Sequence, residues 1–368
     1  MVLLLFGDAV GLAAVTDDGE SSAPPAAQAA AMRRVVPEIE RFVAAERGLA
    51  FKQPVKVELL DDKAFVRRLR GDGEEDTEAL AKAEGFLQAL HLVAGDVRLG
   101  SAIDELLASA VAGFYDPKSK ALVVRGAEPT PSVRGILAHE LTHALQDQHF
   151  DLERPDLDER TDEAPQAFTG LVEGDAVRIQ QRYVSSLSAD DKAAFFAEEG
   201  SGSGPPAGVP SVLVDVLLFP YRTGPALVEA ILREGGQARL DAAFASPPET
   251  SEHLLHPEAY LGGDQAKSVT LPKADGTVFD RGVVGELGLR LLFRDLGTLG
   301  RRGAEGWGGD RYIAWRSSGR PCVRARFVMD TAKDTAELTA ALRRWAAPHD
   351  GATVTGPPAG PVTLTSCA

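Results

Sequence analysis

Thr130–Phe150 reads TPSVRGILAHELTHALQDQHF, and the rest of the chain is best interpreted outward from it. Thr130 offers a side-chain oxygen to the first free amides of a helix. Pro131 follows at the first helical position, where a missing N–H is harmless. Val133, Ile136, Leu137, Ala144 and Leu145 then recur at the helical period. The spacing predicts a helix over about Pro131–His149, and on it lies the pattern HExxH: His139, Glu140, Leu141, Thr142, His143. Residues four apart project from one helix face, one turn above the other. Two imidazoles so placed can bind one Zn²⁺ at about 2.0–2.1 Å each. Glu140, on the same turn, can reach a water at that ion without ligating it.

A catalytic zinc takes a third protein ligand and keeps one position open. A second long helix is expected over Ala164–Leu187, and it contains TGLVEGDAVRIQQRY (Thr169–Tyr183). Glu173 there is flanked by Leu171, Val172, Ala176 and Val177. A carboxylate on an apolar stripe needs a partner if it is buried. Gly170 and Gly174, four apart, would let two helices approach closely. His139, His143 and Glu173 could then meet at one point, with Asp175 as the rival third ligand.

The 368 residues have a mass of 39.0 kDa, enough for two units or one elaborated domain. Hydrophobic residues make up 44% and charged residues 25%, which excludes wholesale disorder. Lys+Arg number 39 against 54 Asp+Glu, a net charge of −15, which argues against general nucleic-acid binding. No apolar run reaches the ~18–20 residues needed to span a bilayer. The start, MVLLLFGDAVGLAAV (Met1–Val15), resembles a secretory apolar region, although it lacks a basic flank and is interrupted by Asp8. Residues 1–30 are expected to be a leader or flexible N-terminus, residues 31–300 the main unit and 301–368 a small C-terminal portion.

Helices are expected over Met32–Leu49, Asp61–Arg70, Glu74–Val93 and Ala102–Ala112, and a strand over Pro54–Leu60. GFYDPKSKALVVRG (Gly113–Gly126) reads as a hairpin turning at Asp116-Pro117. DLERPDLDERTDE (Asp151–Glu163) is strongly acidic and lacks the spacing of a calcium loop. Gly200–Pro210 reads as a linker, followed by helices at Ser211–Leu218 and Pro225–Arg233 and an irregular segment, Ser246–Leu261. A helix is expected at Gly282–Arg294 and another at Thr335–Trp345. Strands are expected near Tyr312–Trp315, Val323–Val328, Ala352–Thr355 and Val362–Thr365. Trp307 and Trp315 read as packing for this end. His149, His91 and His349 read as structural or solvated.

The two cysteines, Cys322 and Cys367, form no CxxC pair, which argues against a thiolate zinc site. Each sits at the end of an alternating apolar stretch. Antiparallel pairing of the two stretches would allow a disulfide, suited to an oxidising compartment. The alternative is two separate buried thiols.

HELTHALQDQHF followed by LVEGDA (Leu171–Ala176) resembles the zincin-type metallopeptidases of the gluzincin branch, and within it a group of exported bacterial proteins. GFYDP (Gly113–Pro117), SEHLLHPEAY (Ser251–Tyr260), GWGGDRY (Gly306–Tyr312) and the closing VTLTSC extend the resemblance over about Gly113–Cys367. It implies an α+β fold: an α-rich zincin-like catalytic unit, a preceding β-hairpin and a small β-containing C-terminal portion. It implies Zn²⁺ held by His139, His143 and Glu173, with Glu140 as general base in hydrolysis of a peptide or protein substrate. The expected location is extracytoplasmic: periplasmic, secreted or envelope-associated. One departure stands out. Many gluzincins carry an acid four residues after the ligand Glu, to orient a ligand histidine, whereas this chain has Val177 there. Asp147 or Asp175 could serve instead. The tetrahedral oxyanion needs a further donor. Among His253, His256, Tyr260, Tyr115 and Tyr312, His256 is favoured, because its Pro-containing segment could return to the cleft. Ala121–Val124 is expected to pair with an extended substrate as an edge strand. The rival function is a zincin-like binding or envelope protein that keeps the metal and hydrolyses little or nothing.

Overall fold

A computed structural model describes residues 10–12, 26–70, 77–126, 128–200, 206–358 and 360–368. In chain order its elements are β1 (Val10–Leu12), α1 (Ala26–Arg47), β2 (Lys56–Leu60), α2 (Asp62–Arg70), α3 (Thr77–Ala89), α4 (Leu99–Ala110), β3 (Val111–Asp116), β4 (Ala121–Arg125), α5 (Pro131–Phe150), α6 (Pro155–Asp158) and α7 (Ala164–Ser186). There follow α8 (Ala189–Gly200), α9 (Ser211–Ala245), α10 (Ser251–Leu255), α11 (Pro257–Gly262), β5 (Thr277–Gly282), α12 (Gly285–Leu292), α13 (Gly297–Ala304), β6 (Trp307–Ser317), β7 (Arg320–Met329), α14 (Ala332–Ala346), β8 (Thr353–Thr355) and β9 (Val362–Cys367). The fold is α+β, with helices dominant and the larger sheet at the C-terminal end.

The helix α5 lies at the centre. Thr130 caps it by accepting from the Val133 N–H, and Glu198 of α8 accepts the Thr130 hydroxyl proton at 2.8 Å. From Gly135 to Asp147 every residue is buried, because α1, α7, α8 and β3 surround the helix. Met32, Ile39 and Val43 of α1, Leu122 of β4, Leu137 and Leu141 of α5 and Ile179 of α7 form one core cluster. The other side of α7 packs on α9 through Leu171, Val172, Leu227 and Ile231. Backbones touch there: a Cβ added to Gly174 would lie 2.3 Å from the Gly224 carbonyl carbon. The glycine expected to bring helices together therefore serves the α7–α9 contact.

The first sheet has the order β1-β3-β4-β2, with β2 parallel to β4 and the other pairs antiparallel. This corrects the edge-strand expectation. Ala121–Val124 lies inside the sheet between β3 and β2 and has no free edge to offer a peptide. Most of the expected leader, residues 1–30, lies outside the described residues. Val10–Leu12 of it pairs with β3, Val10 opposite Phe114. Residues 201–205 of the expected linker also lie outside them.

Ser211–Ala245 is one element, although two separate helices were expected across Pro220 and Pro225. It bends at Gly235 and Gly236, the latter at φ 65° and ψ −159°, a conformation open to glycine. By length and composition α9 could cross a bilayer, which the sequence reading did not anticipate, but half of its apolar window is buried inside the fold. The segment Ser246–Leu261 is more regular than expected, since it forms α10 and α11.

The second sheet, β5-β6-β7-β9-β8, is antiparallel throughout. It begins at Thr277, upstream of residue 301, and its core also takes in Ala89 and Leu90 at the end of α3. Cys322 and Cys367 face each other across β7 and β9 and form a disulfide. The junction with the helical unit is polar and buried. Glu163 accepts from the Ser251 N–H at 3.2 Å and from its hydroxyl, while Ser251 Oγ accepts from the Leu287 N–H at 3.1 Å. Asp310 accepts from the N–H groups of Val284 and Gly285 and from Trp307 Nε1.

Both the sheet and its junction can be tested. The disulfide spans 45 residues of sequence. Loop-closure entropy for that length gives about 4 kcal/mol as an upper figure. Replacing both cysteines by serine should lower unfolding stability by roughly 2–4 kcal/mol in urea titrations, and added reductant should then have no further effect. Glu163 gives a pH prediction. Burial, reinforced by the Asp310 charge and opposed by the Ser251 hydrogen bonds, pushes its carboxyl up to about 8 from an ordinary 4.5. The folded state therefore binds this proton more tightly than the unfolded state. The stabilisation is complete below 4.5 and is lost as pH rises through 8. Glu163→Gln should gain on the wild type between those values, by at most ~1.4 kcal/mol per pH unit. Urea midpoints at the two ends of the window measure this, and equal offsets at both ends would refute it.

Candidate metal centre

His139 and His143 project from α5 and Glu173 from α7, and all three are buried. Glu173 Oε2 lies 2.9 Å from His139 Nε2 and 3.5 Å from His143 Nε2. The ligand-type atoms of the three residues all fall within 4.8 Å of one another. Donors about 2.0–2.1 Å from a tetrahedral zinc stand roughly 3.3 Å apart, so this set fits the ion. The His143 Nε2 atom supports the same fit, being buried and without a hydrogen-bond partner.

The electrostatics agree with a shared cation. Burial works against charge on His143, yet the Glu173 carboxylate, with Glu140 behind it, lifts its pKa to about 9. Burial depresses His139 despite its hydrogen bond to Glu173. Glu173 is held down at about 2: burial opposes its charge, and the two imidazoles outweigh that. One positive charge between these groups is thus favoured over none.

The far side of each imidazole meets a glutamine. His139 Nδ1 faces Gln180 Oε1 at 3.2 Å, and His143 Nδ1 faces Gln146 Oε1 at 3.0 Å. Gln146 Nε2 donates to Val172 O and to Asp175 Oδ2, both at 3.1 Å. Both partners are acceptors, so the amide orientation is fixed. The oxygen must then face His143 and accept its Nδ1 proton, which leaves Nε2 as the ring atom turned toward the centre. Asp175 is held by Arg47 Nε at 2.6 Å and Arg178 at 2.8 Å. Arg47, fully buried at the end of α1, also reaches Asp241 at 2.6 Å, beyond the bend in α9.

These contacts sort the remaining sequence candidates. Asp175 acts one residue removed, through Gln146. Asp147 accepts from the Tyr115 hydroxyl at 2.6 Å and from Lys120, and is not bonded to either imidazole. Glu140 Oε2 accepts the backbone N–H of Tyr115 on β3 at 2.8 Å, so the hairpin fixes the carboxylate beside the ligand pair. His256, between α10 and α11, bonds Glu286 at 3.1 Å and faces Glu258, with no described bond to the centre. His253, Tyr260 and Tyr312 bond Asp264 O, Ser246 O and Asp280. His149 bonds Ala50 O, as a structural residue should. His91, exposed, and His349, partly exposed, are solvated as expected and also stack on each other at 4.3 Å beside Trp345.

The residue that does reach the centre is Tyr221 of α9. Its hydroxyl donates to Glu173 Oε1 at 3.0 Å, and its ring stacks 6.1 Å from that of His139. It falls between the helices expected at Ser211–Leu218 and Pro225–Arg233, just after Pro220. Gln146 and Gln180 were missed too, although each sits at helical spacing from a ligand, three residues after His143 and seven after Glu173.

Residues 276–365 match a family described as a domain of unknown function (DUF8575). That match covers the second sheet and α12 to α14, and leaves out α5, α7 and α9. No curated protein and no solved structure matches the chain.

Gln146→Leu strands the His143 Nδ1 proton and should weaken zinc binding 10- to 100-fold in chelator competition, with little change in fold. Arg47→Met leaves Asp175 and Asp241 undercompensated in the interior. It should lower unfolding stability by about 3 kcal/mol in denaturant titration.

Proposed function

We propose that this protein is a zinc-dependent metallopeptidase acting outside the cytoplasm. The observation that carries the reading is the convergence of His139, His143 and Glu173 around one point, with Glu140 fixed beside them by the Tyr115 amide. A bound zinc ion would acidify a water and polarise the scissile carbonyl. The chain's own residues then divide the remaining work. Glu140 takes the proton from the attacking water and returns it to the leaving amine. Gln146 and Gln180 hold the two imidazoles in register. Tyr221 takes the donor role assigned to His256 from sequence, because its hydroxyl lies at the centre and can turn from Glu173 to a developing oxyanion. The Cys322–Cys367 disulfide supports an oxidising compartment.

A second reading, a metal-retaining binding or envelope protein with little or no hydrolysis, has one observation in its favour. Neutral glutamines, in place of acids, stand behind both imidazoles. One experiment separates the two. Zinc-loaded, desalted protein should carry about one zinc per chain by mass spectrometry and cleave casein. Glu140→Gln should keep the metal and lose at least ~100-fold in rate. Tyr221→Phe should keep the metal and lose ~10²-fold in kcat with KM little changed. Stoichiometric zinc with no cleavage of casein or a peptide mixture would favour the binding protein, and absence of zinc would defeat both.

A further inference from the structure

Beside Glu173 opens a cleft of about 350 Å³. Its floor is lined by Phe168, Thr169 and Val172 of α7, with Thr169 one turn before Glu173 on the same face. Leu152 and Leu157 form the opposite wall, and the hairpin turn at Lys118 closes one end. Apart from the ligand Glu173 the lining is apolar below, and its other charges stand at the rim. Asp151–Glu163, which supplies that rim, contains seven acids and two arginines. Both arginines are already engaged, Arg154 with Asp156 at 2.8 Å and Arg160 with Asp156 and Glu249. Glu153 and Asp158 stay exposed at the mouth against one exposed cation, Lys118, so the rim is acidic on balance.

We propose that this cleft is the specificity pocket of the centre, taking one bulky apolar side chain of a bound peptide and disfavouring acids beside it. The proposal rests on the peptidase reading for what happens to the bound peptide. Three observations support it. The cleft is continuous with the ligand Glu173, so a peptide carbonyl at the centre places an adjacent side chain over Thr169 and Val172. The volume suits one large side chain with its backbone and is near the lower end for a small-molecule site. The buried apolar floor gains from covering hydrocarbon, while the rim repels carboxylates.

The test separates binding from cleavage. Zinc-loaded Glu140→Gln would be titrated with N-acetylphenylalaninamide and N-acetylglycinamide by NMR. The phenylalanine probe should bind at least ~10-fold more tightly. Thr169→Trp, which fills the floor, should abolish that preference with zinc content and melting temperature retained. Leu152→Ala, a milder change to the opposite wall, should reduce it several-fold. In parallel, wild-type cleavage of a peptide mixture should cluster at bonds next to Phe, Leu or Met, with neighbouring Glu cut at least ~5-fold more slowly than Lys at low salt. A phenylalanine preference unaffected by both variants, or no preference at all, overturns the pocket. Cleavage without side-chain preference overturns the pocket and leaves the peptidase reading standing. Selective binding with no cleavage supports the pocket and defeats the peptidase reading.

Discussion

The burial of the Glu173 carboxylate between two imidazoles constrains everything around it. A fully buried ion costs several kcal/mol unless opposite charge and hydrogen bonds offset the loss of water. Here the offsets come from three side chains on two elements: His139 and His143 on α5, and the Tyr221 hydroxyl on α9. None of the three reaches the carboxylate unless both helices lie close to α7. The contact of α7 with α9 leaves no room for a side chain at Gly174 or Gly224. An apolar residue at 173 would pack these helices with less electrostatic cost, so stability alone does not account for the glutamate. That cost is what makes the centre a functional one in our reading.

What could be read from sequence follows the range of the interactions. The long helices and the pair on α5 depend on local periodicity and capping, and the expected helix over Pro131–His149 matches α5 within a residue. Glu173 was legible because a lone acid on an apolar stripe is a local anomaly. Tyr221 was not, because two prolines mark a break by local rules, whereas burial against α7 lets α9 continue through them. The parallel pairing of β2 with β4 joins segments about 60 residues apart, with α2, α3 and α4 between them, and no local signal announces it. The hairpin was readable, but its loss of a free edge was not. Likewise β5 lies in a stretch whose alternation is weak, and its strand character comes from pairing with β6.

The C-terminal sheet is more than an appendage to the helical unit. Asp310 of β6 holds the start of α12, and Ser251 of α10 ties Glu163, at the head of α7, to Leu287 of α12. SEHLLHPEAY thus forms a joint between the two parts. His256 serves that joint, bonded to Glu286, which also accepts from Arg290, while His253 bonds Glu249 N and Asp264 O nearby in the chain. Residues that resemble a motif can be kept for such a buried hinge of hydrogen bonds as readily as for chemistry. Only their partners in space distinguish the two cases.

The glutamines behind the imidazoles set the charge of the centre. An acid in either place would add a negative charge and raise the basicity of the ligand. Gln146 instead passes His143 to Asp175, whose charge is answered at once by Arg47 and Arg178. That chain orients the imidazole while delivering little net negative potential to it. A zinc ion held by two neutral imidazoles and one carboxylate would keep a net charge near +1, more electrophilic than in a site with an acid behind each histidine. The same arrangement makes the geometry of the centre depend on Arg47, a residue at the end of α1 far from it in sequence. The integrity of α1 and of the bend in α9 that brings Asp241 to Arg47 is therefore a condition for the orientation of His143.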